Sequence, residues 1–151
     1  MYYGREYKRI SKIQIYTYFA MARGDQGKAG DVPALAMKKW FNTNYHYMVP
    51  EIEAEAQIQL NGNKPFEEYA EAKSLGIQTK PVLIGAFTFL KLAKYQDNKT
   101  AKDYMDTVVR VYKEILEKFN TLGAEWIQFD EPSLVTDLTR EDAQYSSEIY
   151  L

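Results

Sequence analysis

Four side chains stand out as able to do chemistry. Lys39, Asn44 and His46 lie within or beside one dense stretch, Lys39-Trp40-Phe41-Asn42-Thr43-Asn44-Tyr45-His46-Tyr47-Met48-Val49-Pro50-Glu51, and Asp130 opens an Asp130-Glu131-Pro132 step. An ammonium such as that of Lys39 can hold an anionic group, a carboxylate for instance. The imidazole of His46, the only one in the chain, suits a general base or a metal ligand. So many amide, imidazole and phenol groups in a stretch that otherwise reads as core must each find a partner, at a cost of about 1–3 kcal/mol when buried without one. The segment therefore reads either as wrapped around a ligand or as an unusually polar core strand. Taken singly, His46 also fits a hydrogen-bonded core histidine beside Tyr45 and Tyr47, and Lys39 fits a solvated lysine.

Asp130 and Glu131 could form an acid–base pair, but neighbours on a strand point to opposite faces. A glycosidase-like pair would need a second carboxylate from another strand end. The other reading has one of the two capping the following segment and its neighbour solvated. A usual zinc site takes three or four Cys, His or carboxylate ligands, which one His and no Cys cannot supply.

The elements that must position these groups alternate in type. Ala56-Gln57-Ile58-Gln59-Leu60 alternates with the period of a strand and stops at Asn61-Gly62-Asn63. Pro65 then opens a helix that carries Phe66, Tyr69, Ala72 and Leu75 and stops at Gly76. Pro81-Val82-Leu83-Ile84-Gly85 reads as a parallel strand buried on both faces. A short helix over Thr88 to Lys94 and a loop over Tyr95 to Asn98 follow. Thr100 and Asp103 form a capping-box-like start to a helix whose apolar residues recur from Ala101 to Leu122, before Gly123. Glu125 to Phe129 is a further strand. This order predicts βαβ units and a parallel sheet, whose sites gather at the carboxyl ends of the strands. Gly24 to Gly30 reads as a surface loop without the spacing of a phosphate cradle.

Size and composition bound the possibilities. A chain of 151 residues with 46% hydrophobic and 26% charged residues has the makings of a single globular domain. A net charge of −2, with no basic stripe, argues against nucleic acid as a partner. No run of 18 apolar residues and no signal-like start are present, so the expectation is a chain that neither spans a membrane nor carries a secretion signal. The lack of Cys fits a reducing, cytoplasmic setting.

Ordered motifs add a family resemblance. Tyr18-Phe19-Ala20-Met21-Ala22-Arg23-Gly24, the run from Val32 to Tyr47, Lys80-Pro81-Val82-Leu83-Ile84-Gly85 and Trp126-Ile127-Gln128-Phe129-Asp130-Glu131-Pro132-Ser133-Leu134-Val135 together resemble cobalamin-independent methionine synthase, in its amino-terminal half. The resemblance runs from about Tyr18 to Asp142, giving an unmatched segment 1–17 and a family-like domain 18–151. It implies a partial (β/α)8 barrel of the TIM type, α/β with parallel strands and incomplete as a single chain. Such a piece has open strand edges and is expected to self-associate, to pair with a missing catalytic half, or to be a soft monomer.

The reaction implied by the resemblance moves a methyl group from 5-methyltetrahydropteroyl-polyglutamate to the zinc-bound thiolate of homocysteine. Zinc belongs to the carboxyl-terminal half, so this chain is expected to bind no cofactor. The lysine before Trp-Phe, here Lys39, is the position implied to contact the folate substrate and its anionic tail. Asn44, His46 and Asp130 are further candidate substrate-binding positions. Arg5-Glu6-Tyr7-Lys8 is no convincing counterpart of the family's Arg-Glu-Leu-Lys contact, and Gly85-Ala86-Phe87-Thr88 stands where Gly-Pro-Val-Thr is usual. The expected function is that of a fragment or truncated relative contributing folate-tail binding to methionine biosynthesis, inactive alone. A stand-alone α/β interaction protein without catalysis is the alternative, and a barrel-type hydrolase using Asp130 or Glu131 a weaker third.

Overall fold

The structure is a computed structural model that describes residues 14–27, 30–39 and 42–150. The chain divides into two compact units, one of Ile58–Lys91 with Ala101–Leu151, the other of Tyr2–Gln57 with Leu92–Thr100.

The second unit is built from short strands. Helix α1 (Gln14–Arg23) ends where Gly24 turns the chain at φ +77°. A Cβ on Gly24 would lie 2.8 Å from the Val32 carbonyl oxygen, so only glycine fits this reversal. The expected loop after it is in fact a hairpin, with β1 (Asp25–Gly27) antiparallel to β2 (Gly30–Val32). β3 (Met37–Lys39) and β4 (His46–Met48) form a second antiparallel pair. Ala20, Met21 and Val32 form a small core, with Leu35 and Met48 packed on it. β5 (Glu51–Ile52) and β7 (Lys94–Tyr95) pair in parallel, so the predicted loop at Tyr95 begins one residue later. Asp97 and Asn98 complete that loop at φ 54° and 58°, a left-handed conformation that short polar side chains tolerate.

The first unit carries the larger helices. α2 (Lys64–Ser74) starts with proline in its first turn. α4 (Ala101–Thr121) starts directly after Thr100, as the capping pattern predicts. Both end on left-handed glycines, Gly76 and Gly123. The amides of Ile77 and Ala124 reach back to Ala72 and Phe119 carbonyls, closing Schellman-type stops. Phe66, Tyr69 and Phe119 form the core, joined by Leu60, Leu83, Ile115 and Ile127. The Phe66 and Phe119 rings lie 4.7 Å apart. The Tyr69 hydroxyl and Lys73 Nζ donate to the Gly123 and Leu122 carbonyls respectively, tying the two helices at their ends.

β6 (Val82–Ile84) and β8 (Gln128–Asp130) are parallel neighbours in the register Val82↔Gln128, Ile84↔Asp130. Between them in the chain come helices α3 (Ala86–Leu92) and α4. α5 (Arg140–Tyr150) follows a 3-10 turn at Pro132–Val135.

The α/β class holds, with three corrections. First, the described residues form four two-stranded sheets, two parallel and two antiparallel, and no closed barrel, because closure needs a neighbour on both sides of each strand. Second, Ala56–Leu60 is no strand. Its alternation survives in burial, with Ile58 buried and Gln57 and Gln59 exposed, but a strand also needs a hydrogen-bonded ladder. Third, Val82 is 52% exposed, since a two-stranded sheet does not bury both faces.

Candidate functional site

Among the described residues two polar clusters stand out, one in each unit. On the β3–β4 hairpin, Lys39 stands directly opposite His46, which puts both side chains on one face of the ladder. Lys38 and Tyr47 occupy the reverse face by the same alternation. Lys38, Lys39 and every residue from Asn42 to His46 are exposed. His46 Nδ1 lies 2.9 Å from the Asn44 carbonyl oxygen. A carbonyl only accepts, so in the neutral ring this contact puts the proton on Nδ1. The Tyr45 amide donates to Thr43 Oγ1 at 3.1 Å, which braces the loop. Burial pushes the Tyr47 phenol well above its ordinary range.

This corrects the expectation of a polar core strand. The core begins at Val49, 1% exposed, and the polar groups from Asn42 to His46 reach water, so their desolvation costs little. Trp40 and Phe41, the aromatic half of the Lys39 motif, lie outside the described residues.

The other cluster sits at the carboxyl ends of β6 and β8. Asp130, half-buried, accepts from Gln128 Nε2 at 2.7 Å along its own strand. Glu131 turns to the amino end of α3, where its two carboxylate oxygens accept from the Phe87 amide at 3.0 Å and the Thr88 amide at 2.7 Å. The first turn of a helix leaves such amides without intrahelical partners, and its positive end favours a carboxylate. The Tyr150 hydroxyl of α5 donates to the same Glu131 carboxylate and accepts from the Ala86 amide. Burial and the Glu131 carboxylate push the Tyr150 phenol upward. Gly85 is the hinge that admits this arrangement, since a Cβ there would fall 2.0 Å from Glu131 Cδ.

Neighbouring contacts lock the cluster further. Buried Thr88 accepts from the Ser133 amide at 3.1 Å, and the Tyr112 hydroxyl donates to the Ile84 carbonyl at 2.7 Å. Lys91 pairs with buried Asp142 at 2.6 Å. The Lys91 ammonium and then the Thr139 amide hold the Asp142 carboxyl down at about 2.

The structure thus brings Lys39, Asn44 and His46 together, and places Asp130 in the other unit. A cap by one of the two carboxylates was anticipated, but Glu131 caps an earlier helix rather than the following segment. Asp142 was missed although Thr139-Arg140-Glu141-Asp142 repeats the capping-box pattern seen at Thr100. Nothing in the sequence pointed to Tyr150. No group of three or more His, Cys, Asp or Glu among the described residues could hold a metal, and with no Cys and one His in the chain the residues present do not fit zinc. Among the described residues, no helix is long and apolar enough to cross a membrane.

The chain is similar to known proteins along nearly all of its length. The family profile described as "Cobalamin-independent synthase, N-terminal domain" matches residues 3–151. A 5-methyltetrahydropteroyltriglutamate–homocysteine methyltransferase of Bifidobacterium animalis subsp. lactis is 56% identical over 137 residues, covering 89% of this chain and 18% of the relative. The same enzyme of Bifidobacterium longum subsp. infantis is 55% identical over 150 residues, 97% of this chain and 20% of the relative. That of Campylobacter jejuni subsp. doylei is 50% identical over 145 residues, 96% and 19%. The chain spans about a fifth of the length of these relatives. With the profile running through nearly all of its residues, the chain belongs to the family of the cobalamin-independent methionine synthases, in their N-terminal domain.

Proposed function

We propose that this chain holds the anionic tail of 5-methyltetrahydropteroyl-polyglutamate for methyl transfer to homocysteine, with Lys39 as the principal contact. The substrate class is the one in the name of the relatives, 5-methyltetrahydropteroyltriglutamate–homocysteine methyltransferase. The observation that carries the reading is Lys39 itself, exposed on a hairpin and set opposite His46, where a solvated carboxylate can reach it. An ammonium–carboxylate contact is a charge-assisted hydrogen bond. Asn44 and His46 extend this surface.

Domain 18–151 then acts as part of a (β/α)8 barrel, a reading supported by the parallel β6–β8 pair with helices between its strands. Methyl transfer itself belongs to a catalytic half carrying the zinc, so this chain alone binds without turning over. The natural partners are that half, or a second copy meeting the outer edges of the two-stranded sheets, in the cytoplasm.

Calorimetric titration with 5-methyltetrahydropteroyl-triglutamate tests the reading. Binding should weaken with added salt, and Lys39→Ala should lower affinity about tenfold, the equivalent of about 1.4 kcal/mol. Binding indifferent to Lys39 would overturn it. That outcome would favour the alternative of an α/β interaction protein, which has one observation of its own. Trp126 is 74% exposed and lines a groove of about 420 Å³ with Leu116, Ile127 and Phe129.

A further inference from the structure

The hairpin face that carries Lys39 holds a second group able to meet an anion. Lys39 and His46 form a directly opposed antiparallel pair, so their Cβ atoms stand about 5 Å apart on one face. Both side chains are exposed. The Nδ1 contact with the Asn44 carbonyl fixes the ring's edge, and Nε2 lies on the side of the ring away from that bond. A long ammonium side chain and an imidazole edge thus stand side by side on one exposed face.

We propose that Lys39 and His46 form a two-point clamp on a single carboxylate of a polyanionic tail, with one proton taken up at His46 Nε2 as the tail binds. This rests on the reading of the chain as a folate-tail binder and deepens it. The neutral ring, with its proton on Nδ1, offers Nε2 only as an acceptor, which a carboxylate cannot use. Gaining a proton from solvent turns Nε2 into a donor. The ligand stays ionised throughout, so a ring that is neutral before binding takes its proton from solvent. Imidazole is the side chain whose charge ordinarily changes between pH 5 and 8, and an anion seated between the two residues favours the charged ring. Across the ladder the ring faces Lys39, with Met37 and Met48 continuing the same face. Lys38 and the Tyr47 phenol leave the reverse face, and the cluster beneath Met48 is apolar: Ala20, Met21, Val32 and Leu35.

The probe is p-aminobenzoyl-tri-γ-glutamate, which keeps the tail's carboxylates and has no group titrating near neutrality. Calorimetry at pH 6 and pH 8, in two buffers of different ionisation enthalpy, reads proton uptake directly. Wild type should bind several-fold more tightly at pH 6, within the limit of about tenfold per pH unit for one linked proton. Uptake should be a fraction of one proton per tail, as a several-fold change over two pH units requires. His46→Gln should retain weaker binding with neither uptake nor pH dependence, while His46→Lys should bind equally at both pH values. Binding that is independent of pH, or a dependence that survives His46→Gln, overturns the clamp and leaves the tail-binding reading intact, provided Lys39→Ala still weakens affinity. No binding by folded wild-type protein at either pH overturns both.

Discussion

The cluster around Glu131 and the Lys39–His46 hairpin are both rich in polar groups, and they use them in opposite ways. Around Glu131 the carboxylate, the Tyr150 hydroxyl and the amides of Ala86, Phe87 and Thr88 satisfy one another. On the hairpin, Lys39 and His46 stand exposed, and the ring contacts a carbonyl of its own loop. A carboxylate at a strand end of a parallel sheet suggests catalysis by position alone, yet here it is a clasp joining β6, β8, α3 and α5. Polar density marks a binding surface only where the groups face outward rather than each other.

The largest expected effect comes from breaking the clasp. In Gly85→Ala the new Cβ would meet Glu131 Cδ at 2.0 Å, so the carboxylate must withdraw. Phe87 and Thr88 are 2% and 0% exposed, and water cannot easily replace what their amides lose. Each unmade buried bond costs about 1–3 kcal/mol, and we expect Gly85→Ala to destabilise this unit by about 2–5 kcal/mol. Glu131→Gln keeps one acceptor oxygen and should cost less. Thermal and denaturant unfolding measure both. A neutral Gly85→Ala would mean the clasp is incidental and would return Glu131 to the list of candidate catalytic groups.

Asp142 gives a smaller effect with a pH signature. Its carboxyl is held at about 2 by Lys91 and Thr139, below the roughly 3.9 of an unfolded aspartate. A depressed carboxyl stabilises the folded state fully above the unfolded value, and that contribution disappears as pH falls from about 4 toward 2. Asp142→Asn should therefore cost about 1–3 kcal/mol near neutrality, as loss of a charge-assisted bond does, and flatten the acid limb of the stability profile. An unchanged limb would show that α5 is held by other contacts.

How far the sequence disclosed these two regions depends on the range of the forces involved. The Lys64–Ser74 and Ala101–Thr121 helices were legible because proline, glycine stops and three-to-four periodicity act within a turn or two. The Val82–Ile84 strand was legible from its apolar character and bounding residues, whereas the strand expected over Glu125 to Phe129 forms only at Gln128–Asp130. Ala56–Leu60 misled because alternation records which face is buried, whereas a strand also requires a neighbour that sequence does not name. At the hairpin, Lys39 and His46 were visible as residue types, but their pairing across the ladder depends on register, and their exposure ran against the apolar look of the flanking Trp40, Phe41 and Tyr45. Glu131 reaches amides more than forty residues earlier, a link set by tertiary packing with no local pattern behind it.

The smallest expected effect is also the sharpest discriminator between the two regions. If the hairpin's polar groups face solvent for a ligand's sake, removing them should leave the fold almost untouched. Lys39→Ala deletes an exposed charge, and surface changes of that kind usually fall within about 0.5 kcal/mol. His46→Gln loses an exposed contact with the Asn44 carbonyl, worth at most about 1 kcal/mol when water can substitute. We therefore expect unfolding midpoints within a few degrees of wild type for both, alongside the losses in tail affinity described above. A destabilisation of about 2 kcal/mol or more in either variant would mean that the hairpin's polar groups bind each other's surroundings as the clasp does, and any accompanying loss of affinity would then reflect a damaged fold instead of a missing contact.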